Sequence, residues 1–364
     1  MRVLLTHAIA PGSTYYRIEE PARAVQAADL GVEVAVARGI GTTMHPAADG
    51  SGQLEVTDVD AQGADVVVLQ LPKTREMLQV QRVLQAQGVA VVIELDDLLS
   101  GVPYGHMGYD AFVRARVGQV AVEAAREADL VTTSTPALLK EYAKHGRGAV
   151  IENAVPRRTA ELPPAYERDP EIVTIGWGGN VLVHPYDLQE MGSGLQQALD
   201  RTRGRSRLLV LGQKWDLKNR LHLSEEPDEV AWLLDVDSYV QRMGELFDVG
   251  IAPLRIDRFN TSKSWLKPLE YSARGIYCVR ARTDEYERLG LGLPARAPKD
   301  WAKWLTVGVE DADRRREMAA AARERVLAQH LTEHTAERWA AAWRTARENR
   351  SRAAGAGTLA TAQG

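Results

Sequence analysis

The segment DVGIAPLRIDRFNTSKSWLKPLEYSARGIYCV, Asp248 to Val279, carries the densest set of groups suited to a phosphorylated ligand. An apolar run ends at Ala252 and Pro253 and a polar loop follows. A helix is then predicted to open near Ser262 to Ser264 and to stop at Gly275, a residue that accepts the left-handed conformation of a helix C′ position. The first turn of such a helix presents unpaired backbone N–H groups and the positive end of its dipole, so it favours an anion. Lys263 and Lys267 add positive charge at that point, which makes a diphosphate a fitting ligand. Lys263, Lys267, Glu270 and Arg274 fall on one helical stripe, and Trp265, Leu266, Leu269 and Ala273 form another. Spacing alone favours reading the charged stripe as a solvated face laced with weak ion pairs, Glu270 to Arg274 among them.

Two further segments hold candidates. In EIVTIGWGGNVLVHPYDL, Glu171 to Leu188, Gly176, Gly178 and Gly179 would let backbone approach a ligand, and Asn180 and His184 offer polar groups. The run does not satisfy the dinucleotide fingerprint, because Val181 stands where the third Gly or Ala is required, and this argues against a dehydrogenase. In VVIELDDLLSGVPYGH, Val91 to His106, the carboxylates Glu94, Asp96 and Asp97 sit at the end of an apolar strand. Asp96 and Asp97 could act on an acceptor hydroxyl, hold a cation, or cap a helix.

The elements that must position these residues follow from the hydrophobic pattern. Through the first 155 residues, short apolar runs at Val3 to Leu5, Val32 to Ala37, Val66 to Leu71, Val89 to Leu95, Leu130 to Thr133 and Ala149 to Ile151 alternate with helix-like stretches. Strands apolar throughout and alternating with helices are what a parallel sheet covered on both faces requires. The pattern restarts with Ile172 to Gly176, Arg207 to Leu211, Val249 to Ala252 and Ile276 to Val279. The fold class expected is therefore α/β, with two Rossmann-like doubly wound domains and ligands in a cleft facing the carboxyl ends of both sheets. The expected division is a first domain over 1–155, an exposed proline-rich linker over 156–170 and a second domain over 171–310. Two helices packing back on the body follow over 311–350, then a disordered tail over 351–364.

A chain of 364 residues with 45% apolar and 26% charged residues can fill two such cores, and a net charge of −4 gives no global pull toward nucleic acid or an anionic membrane. The single cysteine, Cys278 in an apolar run, excludes a disulfide framework within one chain and reads as a small buried hydrophobe. The chain opens on the strand-like MRVLLT without a cationic leader, and no run approaches the length of a membrane span, so a cytoplasmic protein is expected.

The Asp248 to Val279 segment resembles the donor-binding region of retaining GT-B glycosyltransferases of the family-four kind, the group 1 glycosyl transferases. In that family a Glu within a helix, followed by a Gly and a short apolar strand, hydrogen-bonds the donor ribose, and the helix N-terminus holds the diphosphate. Glu270 matches that Glu, and Ser262 stands where the family has a second Glu, eight residues earlier. The strand, Gly-containing loop and helix of Glu171 to Leu188 fit the same resemblance, and Lys214, beside Gln213 at a strand's carboxyl end, falls where similar enzymes put a basic residue near the phosphates. In HAIAPGSTYYRIEEPARAV the resemblance implies that Gly12, Ser13 and Thr14 line the cleft. Arg17 there faces donor phosphate or acceptor, or else lies on a helix surface. An acidic cluster such as Asp96 and Asp97 also occurs in the family at the corresponding point.

The implied activity is transfer of a sugar from a nucleotide-diphosphate-sugar donor of UDP, GDP or dTDP type, with retention and with neither an obligatory metal nor another cofactor. Lys214, Lys263, Lys267 and the N–H groups around Ser262 to Ser264 would stabilise the departing diphosphate, with Asp96, Asp97 and His184 as the candidates for chemistry. The acceptor stays open among a glycan, a protein side chain, a small molecule and a modified nucleic acid. An epimerase acting on the donor, or a non-catalytic nucleotide-binding protein, would use the same layout.

Overall fold

The computed structural model describes residues 1–8, 10–48 and 51–361, with side chains to residue 355. The chain divides into two compact units, one of Met1–Val102, Asp110–Glu152 and Thr332–Gly364, the other of Pro103–Tyr109 and Asn153–Leu331.

The first unit holds strands β1 (Arg2–Thr6), β2 (Glu33–Ala37), β3 (Gly41–Pro46), β4 (Leu54–Asp60), β5 (Val66–Gln70), β6 (Ala90–Leu95), β7 (Leu130–Thr133) and β8 (Gly148–Val150). Six of them form a parallel sheet in the order β2-β1-β5-β6-β7-β8. β5 and β6 are buried at every position, as continuous Val, Ile and Leu runs require when helices cover both faces. β3 and β4 pair antiparallel as a separate ribbon that the apolar pattern gave no reason to expect, since β3 has no buried residue and β4 only two, Val56 and Val59.

The second unit holds β9 (Val173–Asn180), β10 (Ser206–Gln213), β11 (Asp228–Val230), β12 (Val249–Ala252), β13 (Tyr277–Ala281) and β14 (Leu293–Ala295). All pair parallel, in the order β11-β10-β9-β12-β13-β14. Counted within this unit the order is 3-2-1-4-5-6, the dinucleotide-fold arrangement, in which direction of winding reverses between β9 and β12. Both sheets are thus of the expected Rossmann-like kind. The short edge strands β11 and β14, of three residues each, were not expected.

Two stretches differ from the sequence expectation. Residues 156–170 are fastened to the second unit: Arg157–Ala160 and Ala165–Glu167 are helical turns with Thr159, Ala160 and Ala165 buried. The buried Arg274 donates to the carbonyls of Thr159 and Pro163 at 3.1 and 3.0 Å, and Arg323 to that of Ala160 at 2.7 Å. The tail expected from 351 onward instead continues one helix, Ala336–Thr361, because its alanines favour helix strongly enough to carry two glycines, while residues 362–364 lie outside the described part. Of the two expected closing helices, Ala312–Gln329 belongs to the second unit and Ala336–Thr361 to the first. In the first unit Trp339, Ala340, Trp343 and Ala346 pack into the core with Val3, Leu5, Ile18, Val25 and Val92.

Candidate active site

In the second unit the loops leaving the carboxyl ends of β9 and β12 flank the point where the strand order reverses, the place where open parallel sheets bind ligands. The loop after β9 supplies His184 and Asp187, with His184 Nδ1 at 2.7 Å from Asp187 Oδ2. The other carboxylate oxygen of Asp187 accepts from the Arg255 backbone amide at 3.0 Å and from Asn260 Nδ2 at 2.7 Å, both on the loop after β12. Asp187, buried, therefore ties the two loops together. Burial pushes the His184 imidazole below its ordinary value, helped by the charges of Lys267 and Lys263 and opposed by Asp187. For Asp187 burial acts upward, but His184, the Arg255 amide and Lys263 outweigh it and hold the carboxyl below the usual range. The pair is thus a neutral imidazole donating Nδ1–H to a carboxylate, which leaves Nε2 as the ring nitrogen open to a ligand.

Trp177, in β9 and buried, joins His184 and Lys267 into one cluster. His184 meets it edge to face at 5.8 Å, and Lys267 Nζ lies over the same indole at 5.2 Å while donating to the Gly178 carbonyl. Burial lowers Lys267 to about 8, against the pull of Glu270 and Asp187. Among the described residues no carboxylate forms an ion pair with Lys267. Lys263 lies over the Phe259 ring at 4.4 Å. Glu270 is buried on the helix Leu266–Ala273, and its charge acts on Lys267, Tyr239 and Tyr271. The charged stripe is accordingly not the solvated face that its spacing favours: Glu270 is buried, Lys267 is half-buried against Trp177, and Arg274 is spent on the 159–163 carbonyls.

Several expected donor contacts are used internally instead. The helix opens at Leu266, after a 3₁₀ turn over Asn260–Ser262, so the amides of Ser262 and Lys263 bond the carbonyls of Phe259 and Asn260 at 3.1 Å each. Ser262 Oγ donates to the Arg258 carbonyl, and Ser264 Oγ accepts from Asn153 at 2.8 Å. Gly176, Gly178 and Gly179 lie within β9 rather than in a loop. A Cβ at Gly176 would meet the Phe247 ring at 2.1 Å and one at Gly178 the Tyr239 hydroxyl at 2.1 Å, so these positions serve helix–sheet packing. Gly179 is likewise closed off by Trp177, at 2.8 Å. Asn180 bonds Gln213 and caps the following turn through Leu182 N. The ammonium of Lys214 is held by Glu226 at 2.8 Å and by the Pro227 carbonyl at 2.7 Å.

In the first unit the chain after β1 is helical from Pro11 to Ala27, with a π-turn over Tyr15–Glu19. Arg17, in that turn, is on neither a cleft nor a helix surface: it is buried, with Nε at 2.7 Å from Glu94, Nη1 on the Ile151 carbonyl at 2.6 Å, and its guanidinium over Trp339 at 4.8 Å. Glu94 is equally buried and also accepts from Thr132. Thr14 bonds the Ala8 carbonyl and Gln70, while Gly12 is exposed with open space beside it. Asp96 and Ser13 do come together. Burial, with the neighbouring Asp97 charge, raises the Asp96 carboxyl to about 6, opposed by its hydrogen bond with Ser13. Asp96 Oδ1 is buried with no hydrogen-bond partner among the described residues. The Asp97 carbonyl accepts from the Tyr142 hydroxyl at 3.1 Å.

Asp187, Asn260, Arg255 and Trp177 were not singled out from sequence. The spacing of His184 and Asp187, three apart in a loop after a strand, was the one signal that could have pointed to the pair. Among the described residues no group of three or more His, Cys, Asp or Glu side chains is arranged to hold a metal ion, and no helix is long and apolar enough to cross a membrane.

Residues 193–341 match the family described as glycosyl transferase-like. No curated protein matches the chain by sequence. Among solved structures, the chain is similar to HepE of Anabaena in complex with UDP and glucose, at TM-score 0.62 and 15% identity over 93% of this chain and 98% of that one. A glycosyltransferase from Rickettsia africae matches at 0.60 and 12% over 95% and 98%. WaaG, a glycosyltransferase involved in lipopolysaccharide biosynthesis, matches at 0.58 and 12% over 93% and 98%. The chain thus has the GT-B fold of these glycosyltransferases, and its residues 193–341 match the glycosyl transferase-like family.

Proposed function

We propose that the chain transfers a sugar from a nucleotide-diphosphate-sugar donor bound at the strand-order reversal of the second unit. The observation that carries this reading is Lys267: a half-buried lysine, drawn down to about 8, without an ion pair among the described residues, in contact with a tryptophan face where such sheets take phosphorylated ligands. Desolvating an ammonium without a counter-ion costs free energy that an arriving diphosphate would restore. Lys263 and the free ring nitrogen of His184 lie in the same cluster, and the first turn of Leu266–Ala273 adds its amides. Glu270 would hold the ribose. HepE, of the same fold, is bound to UDP-glucose, which supports a sugar nucleotide as the donor here.

In this reading Lys263, Lys267 and His184 neutralise the departing diphosphate as the bond to the sugar breaks, with retention at the anomeric carbon and no obligatory metal. The Asp96 and Ser13 pair of the first unit is the proposed receptor for an acceptor hydroxyl, since a carboxyl near 6 with an unsatisfied oxygen can accept a hydroxyl proton. A thermal-shift screen against UDP, GDP, dTDP, ADP and their glucose or mannose conjugates, with and without EDTA, tests the donor site. Stabilisation by one nucleotide class, undiminished by EDTA and much reduced in Glu270→Ala, is the expected result. No stabilisation by any of them at millimolar concentration would reject the donor reading.

A further inference from the structure

We propose that His184 and Asp187 form a proton-taking pair that reads the donor diphosphate: the imidazole is neutral in the free protein and becomes an imidazolium, donating from Nε2, when the diphosphate arrives. This rests on the donor reading above and adds to it a proton bound together with the donor.

The geometry supplies both states with one set of contacts. Asp187 Oδ2 accepts the Nδ1 proton at 2.7 Å whichever charge the ring carries, and its second oxygen is fixed by Arg255 and Asn260, so protonation at Nε2 requires no rearrangement of the pair. In the free protein the groups facing the ring oppose its charge: Lys263 from the loop after β12, Lys267 from the helix Leu266–Ala273, and the Trp177 indole that shields it from water. Among the described residues Asp187, on the ring's own loop, favours the charge. A diphosphate reverses that balance. Its negative charge cancels the repulsion of the two lysines, and its oxygens, being acceptors, need a donor where a neutral Nε2 would present a lone pair. An imidazolium already paired with a carboxylate provides that donor as a charge-assisted hydrogen bond.

The test is calorimetric titration with UDP-glucose and GDP-mannose at pH 7 in phosphate and in Tris, whose ionisation enthalpies differ. Sugar nucleotides are used because their diphosphate, unlike that of UDP, does not titrate near neutrality. The wild type is expected to take up between about half a proton and about one proton per donor bound, and its association constant to fall as the pH rises from about 6 to about 8. In His184→Gln the uptake at pH 7 should fall to about a tenth of a proton, the share that Lys267, near 8, can take up, and the pH dependence between about 6 and 7 should flatten, with weaker but measurable binding. Donor binding by the wild type without proton uptake would overturn the proposal while leaving the donor site intact, and so would uptake that persists undiminished in His184→Gln. Binding of neither sugar nucleotide would reject the donor reading and the pair's role together.

Discussion

Arg17 in the first unit and Lys267 in the second are both cations laid on a tryptophan face, at 4.8 and 5.2 Å. Their partners differ. Arg17 has a buried carboxylate at 2.7 Å and a backbone carbonyl besides, so its charge is answered within the protein. Lys267 has one carbonyl and the distant pull of Glu270 and Asp187, and its ammonium is correspondingly easier to deprotonate. A buried cation paired with a carboxylate helps hold the fold together. One that is half answered is held ready for an anion from outside.

The comparison breaks most readily at Arg17. Arg17→Met leaves Glu94 buried without its counter-ion, and urea unfolding should show a loss of about 3–5 kcal/mol. Donor affinity, measured below the unfolding transition, should not change. If Arg17→Met instead left stability intact and abolished donor binding, the two cations would have to exchange roles. Lys267→Met sharpens the contrast from the other side. Steady-state kinetics should show kcat/KM down by about 10²- to 10³-fold, in the range found when one stabilising donor is removed at a site of developing charge. Thermal unfolding of the free variant should occur no lower than that of the wild type. Because the folded-state value of Lys267 is depressed, the cost of burying its charge is fully present below about 8 and fades as pH rises into the ordinary lysine range. The variant's stability advantage should therefore shrink on going alkaline. The smallest effect belongs to Lys214→Ala, which removes a cation already held by Glu226: a stability change within about 1 kcal/mol and kcat/KM within about threefold.

These contrasts show where the sequence was legible. Continuous apolar runs such as VVVLQ and AVVIEL identify central parallel strands, because burial on both faces leaves no other pattern. The ribbon β3 and β4 was not legible, since its residues are mostly exposed and only pairing holds it. At the site, residue types were visible but their partners were not. Lys214, Lys263 and Lys267 look alike in sequence, and only long-range neighbours separate the one spent on Glu226 from the two around His184. The glycines of GWGGN suggested a ligand-hugging loop, yet at Gly176 and Gly178 the bulky neighbours are Phe247 and Tyr239, both more than sixty residues away in the chain. Asp187 passed unnoticed because one carboxylate can tie two loops together without leaving any periodic trace.

The placement of Trp339 and Trp343 among Val3, Leu5 and Val92 bears on how the protein is made. During synthesis the first unit's strands leave the ribosome early, but side chains that complete its core come from a helix translated after the whole of the second unit. The second unit, whose segments lie almost wholly between, has all its core residues available sooner. The first unit's core therefore cannot be completed until the helix Ala336–Thr361 has followed the second unit out, and the sheet surface that Trp339 and Trp343 cover stays open until then. Contacts of such long sequence separation are slow to form, and the waiting intermediate is the species a chaperone would meet.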